Sequence, residues 1–246
     1  MHRHIASAIA FALGIAAVPA AAQQFLGRVG GSCATLPASN QQAVPLDVTV
    51  PASATLIVTA AASSNFVSDL AIDDPIGSRY QALGGTHGGG AGVIVHFRTL
   101  LQRPLSAGDT LLLQYGNAGS NVQSCVSVLG FGGVPSGSIV QDALGAATGD
   151  SATLVVTATT ASSAGQELVL SSFATNAAPG SVTAQAPANA LAPVCSADTS
   201  LCLIDAYYSG AAVGTAGVAL DLGNTVDWAG ALTALYADGI FGNGFD

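Results

Sequence analysis

The chain of 246 residues is half hydrophobic, only 8% charged and free of lysine, with a formal net charge of −9. So few cations leave no basic patch to neutralise phosphates, which argues against nucleic acid and against anionic lipid as partners. Nor is the low charge that of a membrane protein: after residue 22 apolar residues alternate with Ser, Thr, Gly and Ala, the composition of a soluble sandwich with a sparsely charged surface.

The chain opens with His2 and Arg3, an uncharged apolar run from Ile5 to Val18, and the small residues Ala20, Ala21 and Ala22. These three parts form a secretory signal with cleavage expected after Ala22. The run is shorter than the roughly 20 residues that span a bilayer. The reading is therefore an exported protein, periplasmic or extracellular, with no stable transmembrane span. Loss of Arg3 lowers the net charge from −9 to −10. The expected division is residues 1–22 as signal, 23–43 as an N-terminal segment, 44–236 as one sandwich domain and 237–246 as a tail.

Beyond residue 43 the pattern has period two. Strands are predicted at Ala54–Ala60, Val93–Phe97, Thr110–Tyr115, Val122–Phe131, Ala152–Thr160, Glu167–Ala174, Leu201–Tyr208, Gly217–Leu222 and Val226–Tyr236. Turn signals separate them, among them Asp73-Asp74-Pro75, Gly84-Gly85, Gly88-Gly89-Gly90 and Ala178-Pro179-Gly180. Short strands at regular spacing with Gly-rich turns predict an all-β fold, a two-sheet antiparallel β-sandwich, jelly-roll-like, of about 12 strands. No helical stripe follows the signal, and Ala143–Ala147 reads as loop. Ser53–Ala60 nearly repeats as Ser151–Ala158. Convergent strand composition suffices to explain that echo.

The four cysteines, Cys33, Cys125, Cys195 and Cys202, suit disulfides in an exported chain. Three pairings are open, and free buried thiols are the alternative. The short loop Ser196–Leu201 favours Cys195–Cys202, which leaves Cys33–Cys125. Loop-closure entropy gives the longer link about 4 to 5 kcal/mol and the shorter roughly 2 to 3 kcal/mol.

Several phrases occur in an informative order: Asp74-Pro75-Ile76-Gly77-Ser78-Arg79-Tyr80, the turn Pro104–Thr110, the strand Val126–Val134, the linker Asp142–Gly149, the strand Gly165–Leu170, and Trp228–Leu232. Together, over Val44–Tyr236, they resemble a jelly-roll sandwich domain of exported and surface-associated bacterial proteins whose function is unknown. The resemblance implies a fold and a setting outside the cytoplasm, and carries no catalytic residues with it. The ending Ile240-Phe241-Gly242-Asn243-Gly244-Phe245-Asp246 resembles a short Ile-Phe-x-x-Gly-Phe-acidic tail of exported proteins from some Gram-negative bacteria. That likeness implies a sorting or processing tag. The plainer reading is a terminus whose phenylalanines pack on the sandwich.

Catalytic constellations are sparse. Only His87 and His96 survive signal removal; His87 lies in a Gly-rich loop, and His96 is expected to point outward from an alternating strand. No Gly-x-Ser-x-Gly elbow occurs. Glu167 is the sole glutamate, and most aspartates flank turns, where they favour local backbone bonds. Asp69, Asp73 and Asp74 are the densest acidic group and suit a structural calcium ion, although not with EF-hand spacing; a solvated turn beside Arg79 is the competing reading. No other cofactor is implied. Trp228 reads as core. Tyr80, Tyr115 and Tyr208 are the candidates for an aromatic ligand-binding platform. The leading expectation is a secreted, non-catalytic surface, adhesion or glycan-binding module. The runner-up is a structural component of an extracellular layer or filament, and a hydrolase trails both.

Overall fold

The computed structural model describes residues 24–63, 69–87, 92–116, 121–132, 139–160, 167–210 and 214–237. The predicted signal and most of the tail lie outside the described residues. Among the described residues there are fifteen strands and no helix. Three of the strands have only two residues. The fold is an all-β antiparallel sandwich.

The first eight strands are β1 (Gln24–Thr35), β2 (Gln41–Pro45), β3 (Thr55–Ala62), β4 (Ala71–Asp73), β5 (Gln81–His87), β6 (Val93–Leu100), β7 (Thr110–Gln114) and β8 (Gln123–Gly132). They build a large sheet of order β1-β8-β3-β6-β5 and a small one of order β2-β7-β4. Successive strands cross from one sheet to the other except at the β5–β6 hairpin. This is the wrapping of a jelly roll. Val44, Leu46, Leu111, Leu113 and Tyr115 meet Leu56, Val58, Val126 and Val128 in the core between the sheets.

The remaining strands are β9 (Ile139–Thr160), β10 (Glu167–Thr175), β11 (Thr183–Ala184), β12 (Asn189–Ala190), β13 (Val194–Cys195), β14 (Cys202–Gly210) and β15 (Gly214–Ala237). The segment Ala143–Ala147, read as loop from its alanines, is strand: it pairs with Leu232–Ala234 and its neighbours on β15. β9 and β15 are long because each serves two layers. β9 pairs with Val226–Ala237 through residues 139–151, and with Gly214–Asp221 through residues 153–160, with a register break between Asp221 and Val226. In an extended strand, Gly145 and Thr157 would be roughly 40 Å apart at ~3.3 Å per residue. Yet a Cβ on Gly145 would sit 2.4 Å from the Thr157 carbonyl oxygen, so the two-stranded ribbon folds back over itself. Val156, Val218 and Leu220 thereby cover Val169, Phe173, Ile204 and Leu232.

With the two legs counted separately, the large layer of this half runs β9 first leg, β15 second leg, β10, β14, β12, and the small layer runs β9 second leg, β15 first leg, β11. That is the strand order of β1–β8 over again. The chain therefore runs the jelly-roll course twice. The sequence echo does not mark this repeat. Ser53–Ala60 leads into central β3, whereas Ser151–Ala158 lies in the second leg of β9, an edge.

The two large sheets pack against each other. β3 and β10 are buried along their whole length, because one face of each strand meets its own small sheet and the other meets the opposite large sheet. Ile57, Leu129 and Phe131 meet Leu168, Leu170 and Leu235 at one end of this central layer. Ala61, Ile94 and Cys125 meet Ala174, Leu201 and Leu203 at the other. Cys33 bonds Cys125 across the β1–β8 pair, and Cys195 bonds Cys202 across the β13–β14 pair.

Candidate functional site

Between the two apolar ends of the central layer lies a band of polar side chains. Thr59 on β3 and Ser172 on β10 face each other with hydroxyls 3.2 Å apart. Ser172 donates to Asp205 on β14 at 2.6 Å. The Arg28 guanidinium reaches in from β1. It donates to the second Asp205 oxygen at 3.3 Å, to Ser127 Oγ at 3.0 Å and to the Ala192 carbonyl at 2.6 Å. His96 on β6 joins the band through Nδ1, 2.8 Å from Thr233 Oγ1 on β15. Asp205 is fully buried, and its charge is balanced by Arg28, whose side chain is 20% exposed. Pairing of this kind is what allows a carboxylate to sit in an interior at all.

His96 does not point outward. Its exposure is 0%, because the face of β6 that a two-layer fold would give to solvent is covered here by the second large sheet. Burial lowers its pKa to about 4, with nearby Asp205 acting in the opposite sense. The ring is therefore neutral at physiological pH. Although Ser172, His96 and Asp205 share the band, their connectivity is not that of a nucleophilic triad: Ser172 bonds the carboxylate, and the imidazole bonds a threonine. All three groups are buried, and the band ties β3 and β6 of one large sheet to β10, β14 and β15 of the other.

The acidic candidates separate. Asp74 Oδ1 accepts from the backbone N–H groups of Ile76 and Ser78, each at 3.0 Å, and Oδ2 accepts from the Tyr80 hydroxyl at 2.9 Å. Burial raises the Asp74 pKa, but these hydrogen bonds outweigh it and hold the carboxyl below its usual value. Asp73 accepts from the Gln114 side chain at 2.8 Å. Asp69 stands apart, at positive φ before β4. Among the described residues no group of three or more His, Cys, Asp or Glu side chains comes close enough to hold a metal ion.

The tyrosines do not share a platform. Tyr115 is 3% exposed, in the core of the first jelly roll, and bonds Gln42 and Ser124. Tyr80 packs on the same core, with its hydroxyl on Asp74. Tyr208 is half-buried against the core of the second jelly roll. Trp228 is core, edge-on to Phe173.

Two features went unread in the sequence. Glu167, at the start of β10, is buried; its burial and the Asp142 carboxyl beside it push its pKa up to about 7. A cleft of about 350 Å³ lies at the disulfide end, lined by Cys33, Thr35, Gln123 and Ser196–Asp198. Its carboxylate, Asp198, is occupied by the hydroxyls of Ser196 at 2.6 Å and Ser200 at 2.8 Å, which lower its pKa to about 2. These bonds, with that from the Ser200 backbone N–H at 3.1 Å, close the turn between β13 and β14.

The edges of the sheets differ sharply. β1 carries two register shifts and β5 one. β2, β4, β11 and β12 have five, three, two and two residues. The first leg of β9 has an irregularity opposite Ala234–Leu235, and its Leu144 lies against Gly84 of β5. The second leg of β9 is longer than β2, β4, β11 and β12 and has no register shift, and the first leg's Gly145 closes on its Thr157 carbonyl. It pairs with β15 without a shift from Thr153 to Thr160, and among the described residues no strand pairs with its other side.

No family model matches the chain, and no curated protein or solved structure matches it either.

Proposed function

We propose that the protein is a non-catalytic building block that works outside the cytoplasm and joins its neighbours through a sheet edge, as a component of an extracellular layer or filament. The second leg of β9 is the observation that carries this reading. A regular edge offers backbone N–H and C=O groups to an incoming strand, here on the Thr153–Val155 side of the point where Gly145 meets the Thr157 carbonyl. Two disulfides suit an oxidising compartment, and no helix among the described residues is long and apolar enough to cross a membrane. The glycan-binding alternative loses support with the burial of Tyr115 and the engagement of Tyr80. The hydrolase loses support because, among the described residues, the Ser, His and Asp brought together in the central band are sealed between sheets.

The test is fractionation of the producing cells with an antibody to the chain. The protein is expected in the sheared, insoluble surface fraction, at high copy number. Recovery as a freely soluble periplasmic protein would overturn the proposal.

A further inference from the structure

One end of the second jelly roll holds two carboxylates that the chain does not neutralise. Glu167 is the sole glutamate and opens β10, opposite Gly210 of β14 and Tyr236 of β15. It lies on the face of β10 that sends Val169 and Phe173 into the core of the second jelly roll. Its exposure is 1%, and among the described residues neither of its carboxylate oxygens meets a hydrogen-bond donor. A buried carboxylate without hydrogen bonds needs a compensating cation or loses its charge.

The second carboxylate is brought there by a distortion of the ladder. On β9, Ala143 faces Ala234 while Gln141 faces Leu235, so Asp142 is the extra residue of a bulge. Ala143 points into the core, whereas Leu144 lies against Gly84 of the first jelly roll. Strict alternation would put Asp142 on the Leu144 face. The bulge instead turns its carboxyl to Glu167. Bulges re-aim side chains in this way, often beside functional sites. Tyr208 of β14 packs on the same core, and its phenol feels the Glu167 charge. Among the described residues no cationic side chain answers the pair. There is no lysine. Arg28 is held by Asp205, Arg98 by Gln81 and Arg103 by the Ile76 carbonyl, and Arg79 is exposed between β4 and β5.

We infer that Asp142 and Glu167 form a calcium site that bridges β9 and β10 across β15. Calcium suits these donors. It takes carboxylate oxygens singly or in pairs and completes roughly six to eight ligands with carbonyls and water. With only two charged ligands, the affinity falls at about 10⁻⁴ to 10⁻³ M, the range of modules that work outside the cell. Magnesium demands a near-ideal octahedron and gives up its water reluctantly, so it suits an adaptable carboxylate pair less well. The inference goes beyond the edge-joining reading and does not depend on it.

The experiment uses the full exported chain at about pH 8, where model carboxyls are ionised. The protein is stripped with a chelator and titrated with calcium chloride, and Trp228 fluorescence follows its thermal unfolding. Wild type is expected to gain roughly 3 to 10 °C at about 10 mM calcium, and calorimetric titration is expected to give one ion per chain. Glu167→Gln and Asp142→Asn keep the side-chain shape and remove one charge, and each is expected to abolish the gain. Should Glu167→Gln fold poorly, Asp142→Asn, at a half-buried position, carries the same test. Asp69→Asn, in the acidic segment of the first jelly roll, is expected to keep the full gain. Magnesium at equal concentration is expected to give less than half of it. Absence of a gain in wild type, a gain that survives both charge-removing variants, a gain lost equally in Asp69→Asn, or one that magnesium matches overturns the inference.

Discussion

His96 shows most directly how a single residue takes its character from its surroundings. On alternation alone it belongs on a solvent face, since Val95 and Phe97 flank it. That argument assumes a sheet with one wet side, and β6 has none. Its imidazole titrates near 6.5 when unfolded and at about 4 here. Between those values the unfolded chain binds the extra proton, so stability rises with pH across the window. The contribution is complete above 6.5 and is lost as pH falls towards 4. A shift of this size corresponds to about 3 kcal/mol. Glu167 pulls the other way. Its folded pKa is raised from 4.5 to about 7, so its contribution is present below 4.5 and is lost as pH rises towards 7. Urea midpoints measured from pH 4 to 7 should separate the two. His96→Gln, which keeps a polar atom for Thr233 but does not titrate, should abolish the rise and leave a midpoint that falls with pH. Parallel curves for wild type and variant would show that His96 titrates alike in the folded and unfolded chain.

At the scale of elements, the legible strands were those whose composition leaves little choice. β3, β6, β8, β10 and β14 are runs of β-branched and apolar residues between turn signals, and each was placed to within a few residues. β1 and the first leg of β9 were not. Their glycines and alanines have weak β preference, and they are strands only because β8 and β15 pair with them. No local pattern announces that β9 folds back, either; the device is visible only as a close approach. Gly145 leaves room for the Thr157 carbonyl, and a Cβ there would lie 2.4 Å from that oxygen. Gly145→Ala should therefore destabilise by about 1 to 3 kcal/mol, the usual cost of overpacking. Gly210→Ala, where a Cβ meets nothing within 4 Å, should be neutral or slightly stabilising through the unfolded chain. Denaturant midpoints of the two variants compare them directly, and equal losses would mean that the ribbon does not fold back as described. The candidate site was illegible for a related reason: Arg28, Thr59, Ser172 and Asp205 come from four strands and share no spacing. A site assembled by stacking two sheets leaves no motif in the sequence.

For the whole molecule, the duplicated course raises the question of whether the two halves are independent. The central layer argues that they are not. β3 and β10 are buried on both faces, so separating the halves would expose Ile57, Leu129, Phe131, Leu168 and Leu170 to water together. A side chain of that size stabilises by roughly 1.5 to 3 kcal/mol when fully buried. Separation would also strip Asp205 of Arg28, which comes from the other half, and an unpaired buried charge costs several kcal/mol. These terms together are comparable to the whole stability of a domain, about 5 to 15 kcal/mol. Neither half can therefore unfold while the other remains native, and the chain should melt in one step. The single tryptophan, Trp228, reports the second jelly roll, and far-ultraviolet dichroism reports the strands of both. Trp228 fluorescence and far-ultraviolet dichroism should give coincident transitions, with calorimetric and van't Hoff enthalpies equal. Two resolved transitions would mean that the central layer is a dockable interface between autonomous units, and that the band around Asp205 is solvated when they part.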